Sequence, residues 1–212
     1  MPVPHKRIAG LYAITPEIDD TGTLLPLVRA AIEGGARIVQ YRNKQSSGAR
    51  RLEHALGLSA LCGHLGATFV INDDVALALE VDADGVHLGK TDCDLAAARK
   101  KLGPGKWLGA SCYNQIELAR SAAAQGADHV AFGSMFVSST KPGAVRAELA
   151  LFAQARALGM PMVAIGGITL DNAVAVVAAG ADAIAVISDL FSAPDVRLRA
   201  QQLSSFFPIR AP

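Results

Sequence analysis

Gly126-Ala127-Asp128-His129-Val130-Ala131-Phe132-Gly133 carries the plan of the chain in eight residues: a Gly-Ala helix exit, a short polar residue, an apolar run and a glycine stop. The same phrase recurs. Gly35-Ala36-Arg37 precedes Ile38 to Tyr41, Gly66-Ala67-Thr68 precedes Phe69 to Ile71, and Gly180-Ala181-Asp182 precedes Ala183 to Ile187, with looser copies at Ala83-Asp84-Gly85 and Gly159-Met160-Pro161. A helix-like stretch leads into every copy, so the period reads as a βα repeat. The unusual polar residues fall just after the apolar runs, at the C-terminal ends of the expected strands. In a closed βα barrel that end is the catalytic face.

Working outward, the pattern predicts eight strands, at about Gly10 to Thr15, Ile38 to Tyr41, Thr68 to Ile71, Gly85 to Leu88, Trp107 to Ser111, His129 to Gly133, Met162 to Ile165 and Ala183 to Ile187. Each is nearly continuously apolar, as parallel strands covered on both faces are. Helices are expected over Thr23 to Glu33, Gly48 to Leu65, Asp74 to Val81, Asp94 to Leu102, Gln115 to Gln125, Glu148 to Leu158, Leu170 to Ala179 and Pro194 to Phe206, with Asp94, Asn114 and Thr169 placed to cap three of them. The expected fold is α/β, with residues 1–212 forming a single (βα)8 TIM-barrel domain. A doubly wound open sheet is the alternative, since strand order is not written in the repeat, but no GxGxxG follows the first strand.

Composition agrees with one domain: 212 residues, 51% hydrophobic, can bury a full core. A net charge of +1 provides no long-range field for nucleic acid or an anionic membrane, so any positive charge that matters is local. Cys62, Cys93 and Cys112 are an odd set without CxxC, which argues against a disulfide framework and a structural zinc, and for a reducing cytoplasmic setting. Met1 to Arg7 does not read as a signal peptide, and the apolar stretch Ala173 to Ile187 is too short to span a bilayer.

The chemistry concentrates at strand ends. In Gln40-Tyr41-Arg42-Asn43-Lys44, strand alternation puts Gln40, Arg42 and Lys44 on one face, either lining an anion-seeking mouth or merely solvated. Ile71-Asn72-Asp73-Asp74 and His87-Leu88-Gly89-Lys90-Thr91-Asp92 end neighbouring strands, so Asp73 and Asp92 are positioned to share a hard cation such as Mg²⁺. Helix capping by Asp73 or Asp74, and by Asp94, is the competing reading. The loop Ser134 to Gly143, with Ser138, Thr140 and Lys141, has the makings of a lid over phosphate. Gly166-Gly167-Ile168 and Ile187-Ser188 end the last two strands, where such barrels commonly hold phosphate; a plain tight turn is the alternative for the glycines. Ser111 is not in a nucleophile elbow, and His87 is the sole histidine at a catalytic strand end, read as a supporting or core residue; His5, His54, His64 and His129 read as structural. An anion site, a candidate metal site and a second phosphate site without an acid–base pair suit the joining of two phosphorylated molecules.

Taken in order, Val39 to Lys44, Ile71-Asn72-Asp73, Ala83 to Gly89 with Asp92, Gly109-Ala110-Ser111, Thr140-Lys141, Ala164 to Ile168 and Val186-Ile187-Ser188 resemble the thiamine-phosphate synthase family, over Leu11 to about Leu190. The resemblance implies that 4-amino-5-hydroxymethyl-2-methylpyrimidine diphosphate and 4-methyl-5-(2-phosphoethyl)thiazole give thiamine phosphate and pyrophosphate. It implies that Gln40, Arg42, Lys44, Asn72 and Lys141 hold the diphosphate and that Asp73 and Asp92 bind Mg²⁺. Ser111 would contact the pyrimidine substrate, and Ser138, Thr140, Gly167, Ile187 and Ser188 would hold the thiazole phosphate. The path implied is dissociative: diphosphate leaves, the aminopyrimidine stabilises the cation, and the thiazole nitrogen attacks. Expected partners are these small molecules, with no nucleic acid and no membrane; a homodimer is open.

Pro16, Asn43 and Lys90 stand where the family pattern favours aspartate, glutamate and glutamine, and Ser134 and Val137 where it favours proline; Asp94 lies close enough to Asp92 to compete for the metal assignment. The rival activities are a thiazole tautomerase on a similar barrel, a non-catalytic binder of a phosphorylated ligand, and a phosphosugar isomerase. Arg42, Lys44, Asp73, Asp92 and Lys141 together weigh against the tautomerase, which has no evident use for a metal and diphosphate set.

Overall fold

A computed structural model describes residues 8–89, 92–137, 143 and 145–207. Eight parallel strands, β1 (Gly10–Ile14), β2 (Ile38–Tyr41), β3 (Thr68–Asn72), β4 (Gly85–Leu88), β5 (Trp107–Tyr113), β6 (His129–Phe132), β7 (Met162–Ile165) and β8 (Ala183–Val186), pair in chain order. The circle closes where Tyr12 of β1 pairs with Ala185 of β8. Sequential order and closure define a TIM barrel and remove the doubly wound alternative.

Around the strands run α1 (Thr21–Glu33), α2 (Gly48–Leu65), α3 (Val75–Glu80), α4 (Leu95–Leu102), α5 (Ile116–Ala124), α6 (Ala150–Ala155, continued by a 3-10 turn to Leu158), α7 (Ala173–Ala178), α8 (Ser188–Phe191) and α9 (Val196–Ser204). Short polar side chains start several of them. Asp20, Asp74, Asp94 and Asp195 each accept from the backbone N–H three residues on, as does Ser47 ahead of α2. Asn114 and Thr169 are not caps. β5 runs on to Tyr113, leaving α5 to start after Gln115, and Asn172 accepts from Thr169 N, so α7 begins four residues past Thr169. The four-residue α8, absent from the sequence reading, occupies the break before Pro194, and Asp195 then caps α9.

Alternation divides the apolar residues between two cores. Tyr12, Ile14, Ile38, Val70, Ala131, Val163, Ala183 and Ala185 fill the barrel interior, while Leu11, Val39, Phe69, Val86, Leu108, Phe132 and Ile184 face the helices. The Gly-Ala-Asp phrase also has a structural meaning. Oδ2 of Asp84, Asp128 and Asp182 accepts from Phe69 N at 2.7 Å, Leu108 N at 2.7 Å and Met162 N at 3.0 Å, so each aspartate pins its strand to the preceding one at the entry end. Among the described residues no helix is long and apolar enough to cross a membrane.

Candidate functional site

At the C-terminal mouth the barrel opens into a cavity of about 700 Å³, lined by Tyr12, Gln40, Arg42, Asn72, His87 and Ser111 on one side and by Gly133, Ser134, Ile165, Gly167, Ile187 and Ser188 on the other. Its size suits two small ligands or one drug-sized one. A second cavity of about 260 Å³ adjoins it through Asn72 and is lined by Tyr41, Asn43, Lys44, Arg51 and Asp73.

The expectation that Gln40, Arg42 and Lys44 share a face is corrected. β2 ends at Tyr41, so alternation does not govern the residues beyond it. Gln40 is buried on the floor and donates through Nε2 to the Tyr12 hydroxyl at 2.8 Å. Arg42 lines the main cavity, whereas Lys44 turns to the second one and pairs with Asp73 Oδ2 at 3.1 Å. Glu17, in the loop after β1, organises this segment: Oε1 accepts from Arg42 Nη1 at 2.8 Å and Oε2 from Lys44 N at 2.9 Å. Thr15 Oγ1 accepts from Arg42 N at 2.9 Å, and Asp19 accepts from Ser46 Oγ. Two loops are thereby clamped together; Arg42 is largely covered in its pair with Glu17, whereas Lys44 pairs with Asp73 while staying exposed. Sequence reasoning missed Glu17; its position directly after the first strand end was the available signal.

The aspartates divide as their partners dictate. Asp74 caps α3 and pairs with Arg51, and Asp94 caps α4 by accepting from Ala97 N at 2.8 Å. Asp73 caps nothing. It sits at φ +64°, a left-handed conformation that costs a non-glycine residue roughly 1 kcal/mol and that aspartate tolerates better than most. Its carboxyl neighbours that of Asp92 closely enough for the two to shift each other, and Asp92 Oδ2 accepts from Gly89 N at 2.6 Å. Burial works to raise Asp73, but the Asp92 carboxyl, the Lys44 ammonium and the Asn72 amide hold it below the ordinary carboxylate range. Burial and the Asp73 charge push Asp92 up instead. Two neighbouring carboxyls at adjacent strand ends form a set of hard oxygen donors, and the residues therefore fit Mg²⁺. Among the described residues the pair is not a full cage, which suits an ion that keeps waters and substrate oxygens in its shell.

Ser111 lines the floor with its Oγ 2.9 Å from His87 Nε2. Burial pushes the His87 imidazole down to about 4, leaving it neutral near pH 7. The adjacent Cys112 is buried, its thiol pushed up to about 12, and is no nucleophile. A register shift in β5 between Ser111 and Tyr113 brings Tyr113 to the rim.

Gly166 and Gly167 sit at φ +99° and +63°. A Cβ on Gly166 would strike Ser134, and one on Gly167 would strike Val137 O and Phe136, so the glycines are required by the close approach of the β6 exit loop. That loop is tied down by Met135 N to Ile165 O at 3.0 Å and Phe136 N to Gly166 O at 2.9 Å. Gly167, Ile187 and Ser188 nevertheless face the cavity together. Ser138, Thr140, Lys141 and Lys90 lie outside the described residues.

A TIM barrel whose exit mouth gathers cations, an acid pair and a glycine turn belongs to the class of barrels built to hold anionic ligands. Within it the chain belongs to the thiamine monophosphate synthase family, whose profile matches residues 11–190. It is 56% identical over 200 residues to a thiamine-phosphate synthase of Methylobacillus flagellatus, covering 94% of this chain and 96% of that one. It is 52% identical over 206 residues to one of Aromatoleum aromaticum, covering 97% and 99%. Among solved structures, a thiamine phosphate pyrophosphorylase from Pyrococcus furiosus superposes with a TM-score of 0.84 at 36% identity, covering 93% of this chain and 95% of that chain.

Proposed function

We propose that the chain, acting as one cytoplasmic domain, is a transferase that joins 4-amino-5-hydroxymethyl-2-methylpyrimidine diphosphate to 4-methyl-5-(2-phosphoethyl)thiazole. The observation that carries this reading is the Asp73–Asp92 pair beside Lys44, Asn72 and Arg42 at one edge of a cavity large enough for both substrates. An isomerase acting on the thiazole alone has no need of such a set.

In the reaction the carbon–oxygen bond to diphosphate breaks with its electron pair going to the leaving group. The thiazole ring nitrogen then forms the new carbon–nitrogen bond, and no proton need be removed. Catalysis is therefore charge stabilisation at the departing oxygens. Arg42, Lys44 and Lys141 supply cations and Gln40, Asn72 and Ser111 neutral donors; hydrogen bonds to charged groups contribute roughly 1.5–3 kcal/mol each, and more as the leaving group gains charge. Asp73 and Asp92 would hold Mg²⁺, which when bound neutralises the diphosphate. Gly167, Ile187 and Ser188, across the cavity, take the thiazole phosphate, so the two anions approach from opposite walls; Ser138 and Thr140 join them in this reading. A homodimer is compatible with this reading.

The test is incubation of the purified protein with both substrates and Mg²⁺, with thiamine phosphate read as its fluorescent thiochrome. Product that needs both substrates is expected. No product from folded protein would turn the reading towards the tautomerase or the non-catalytic binder.

A further inference from the structure

Below the mouth, the barrel interior holds a polar line that the proposed chemistry does not account for. His87 of β4 and His129 of β6 are both in register with Gly109 of β5, which lies between them. Their ring centroids are 5.6 Å apart with a tilt of 36°. A Cβ on Gly109 would strike Nε2 and Cε1 of His129 and Nδ1 of His87, so the absence of a side chain there is what lets the imidazoles face each other. His129 is fully buried, and both its ring nitrogens, together with His87 Nδ1, lack a hydrogen-bond partner. An unsatisfied buried polar group is normally selected against, and the neighbouring inward positions Ala131 and Val163 are apolar. His87 Nδ1 and His129 Nε2 both border the point a Gly109 Cβ would occupy without bonding each other, a separation that one bridging water spans.

A neutral imidazole has one donor and one acceptor, so fixing one proton fixes the next. Both rings are buried, His129 completely. The Ser111 hydroxyl has a single hydrogen and a diphosphate only accepts. To give that hydrogen to the substrate, Ser111 must accept from His87 Nε2–H at the observed 2.9 Å. His87 Nδ1 is then an acceptor, and the group facing it is His129 Nε2.

We propose that His129 is a positioning residue: its Nε2–H, through one bridging water, holds His87 as the Nε2–H tautomer, which keeps the Ser111 hydroxyl turned outward as a donor to the substrate's diphosphate. His129 does not line the cavity and acts only through His87. The last link rests on the substrate assignment of Ser111 under Proposed function; the tautomer does not.

The test starts with the full, ligand-free chain labelled with ¹⁵N-histidine, with long-range ¹H–¹⁵N correlations recorded at pH 7. His87 protonated on Nε2 and bare on Nδ1 is expected; an Nδ1–H tautomer of His87, or an imidazolium at either ring, would overturn the proposal whatever the enzyme's activity. In His129→Phe, His87 is expected to show mixed tautomers. There kcat falls about tenfold, the worth of one hydrogen bond, with KM for the pyrimidine substrate unchanged. His129→Gln, whose amide restores a donor, recovers most of the rate. A single unchanged tautomer and rate in His129→Phe would refute the relay. Should that variant not fold, the wild-type tautomer still decides. Absence of product from the wild type would remove the substrate assignment and leave the tautomer result standing.

Discussion

The two ends of the barrel use aspartate in opposite ways. At the entry end, Asp84, Asp128 and Asp182 each accept a backbone N–H from the neighbouring strand, and Asp128 also pairs with Arg99. At the exit end, Asp73 and Asp92 meet each other, with one shifted down and the other up, and among the described residues the Lys44 ammonium is the cation paired with them. The entry carboxylates are satisfied by the fold itself. The exit carboxylates, in the function proposed above, are completed by a bound cation. A carboxylate's role here follows from its partners rather than from its place in the repeat.

The sharpest way to break this contrast is to delete one residue from each end. Asp73→Ala is expected to lower Mg²⁺-dependent turnover by about a hundredfold or more, the scale of losing a charge-stabilising group, with the thermal midpoint unchanged; full activity would remove Asp73 from the site. Asp128→Ala should do the reverse, costing about 2 kcal/mol of stability because Leu108 N–H and Arg99 lose their acceptor, while the rate per folded molecule stays the same. Denaturant unfolding and a rate normalised to folded protein would check both halves. An equal loss of rate and stability in either variant would erase the distinction.

A smaller effect is expected from Lys141→Ala, which should slow turnover by about tenfold without a change in unfolding. An unchanged rate would make Lys141 a solvated loop residue. The smallest effect is in pH. Histidines titrate near 6.5 in an unfolded chain, whereas burial delays protonation of His87 to about 4 and of His129 to about 3. Between those values the unfolded chain binds more protons, so stability is fully present above about pH 6.5 and falls as the pH drops towards 4. Thermal midpoints across that window should decline, and less so in His129→Phe. A flat profile in the wild type would contradict the burial of neutral imidazoles.

Much of this was legible in the amino-acid order because the βα repeat is a hydrophobic-period signal. Ile38 to Tyr41 or Met162 to Ile165, bounded by polar residues and glycines, reads as a buried strand whatever surrounds it. The cluster at the mouth was legible for the same reason, since topology sends every strand end to one face. Orientation beyond the strand ends was not. Lys44 follows Arg42 by two residues, but once β2 stops at Tyr41 its direction is set by Glu17 and Asp73, which arrive from β1 and β3. The start of α7 depended on a local exchange between Thr169 and Asn172, and the pairing of His129 with His87 on the empty side of Gly109. Contacts across 20 or more residues, such as those of Lys44 and His129, leave no periodic trace, and the Thr169–Asn172 exchange is a side-chain choice that hydrophobic period does not encode.

The central claim, that the exit carboxylates are completed by a metal and by diphosphate, is tested most directly by titrating Mg²⁺ into metal-depleted wild type and Asp73→Ala while following pyrophosphate release with both substrates present. Saturable activation of the wild type, weakened or abolished in the variant, is the predicted result. Pyrophosphate release from the wild type that ignores Mg²⁺, or an identical Mg²⁺ curve for the variant, would contradict it.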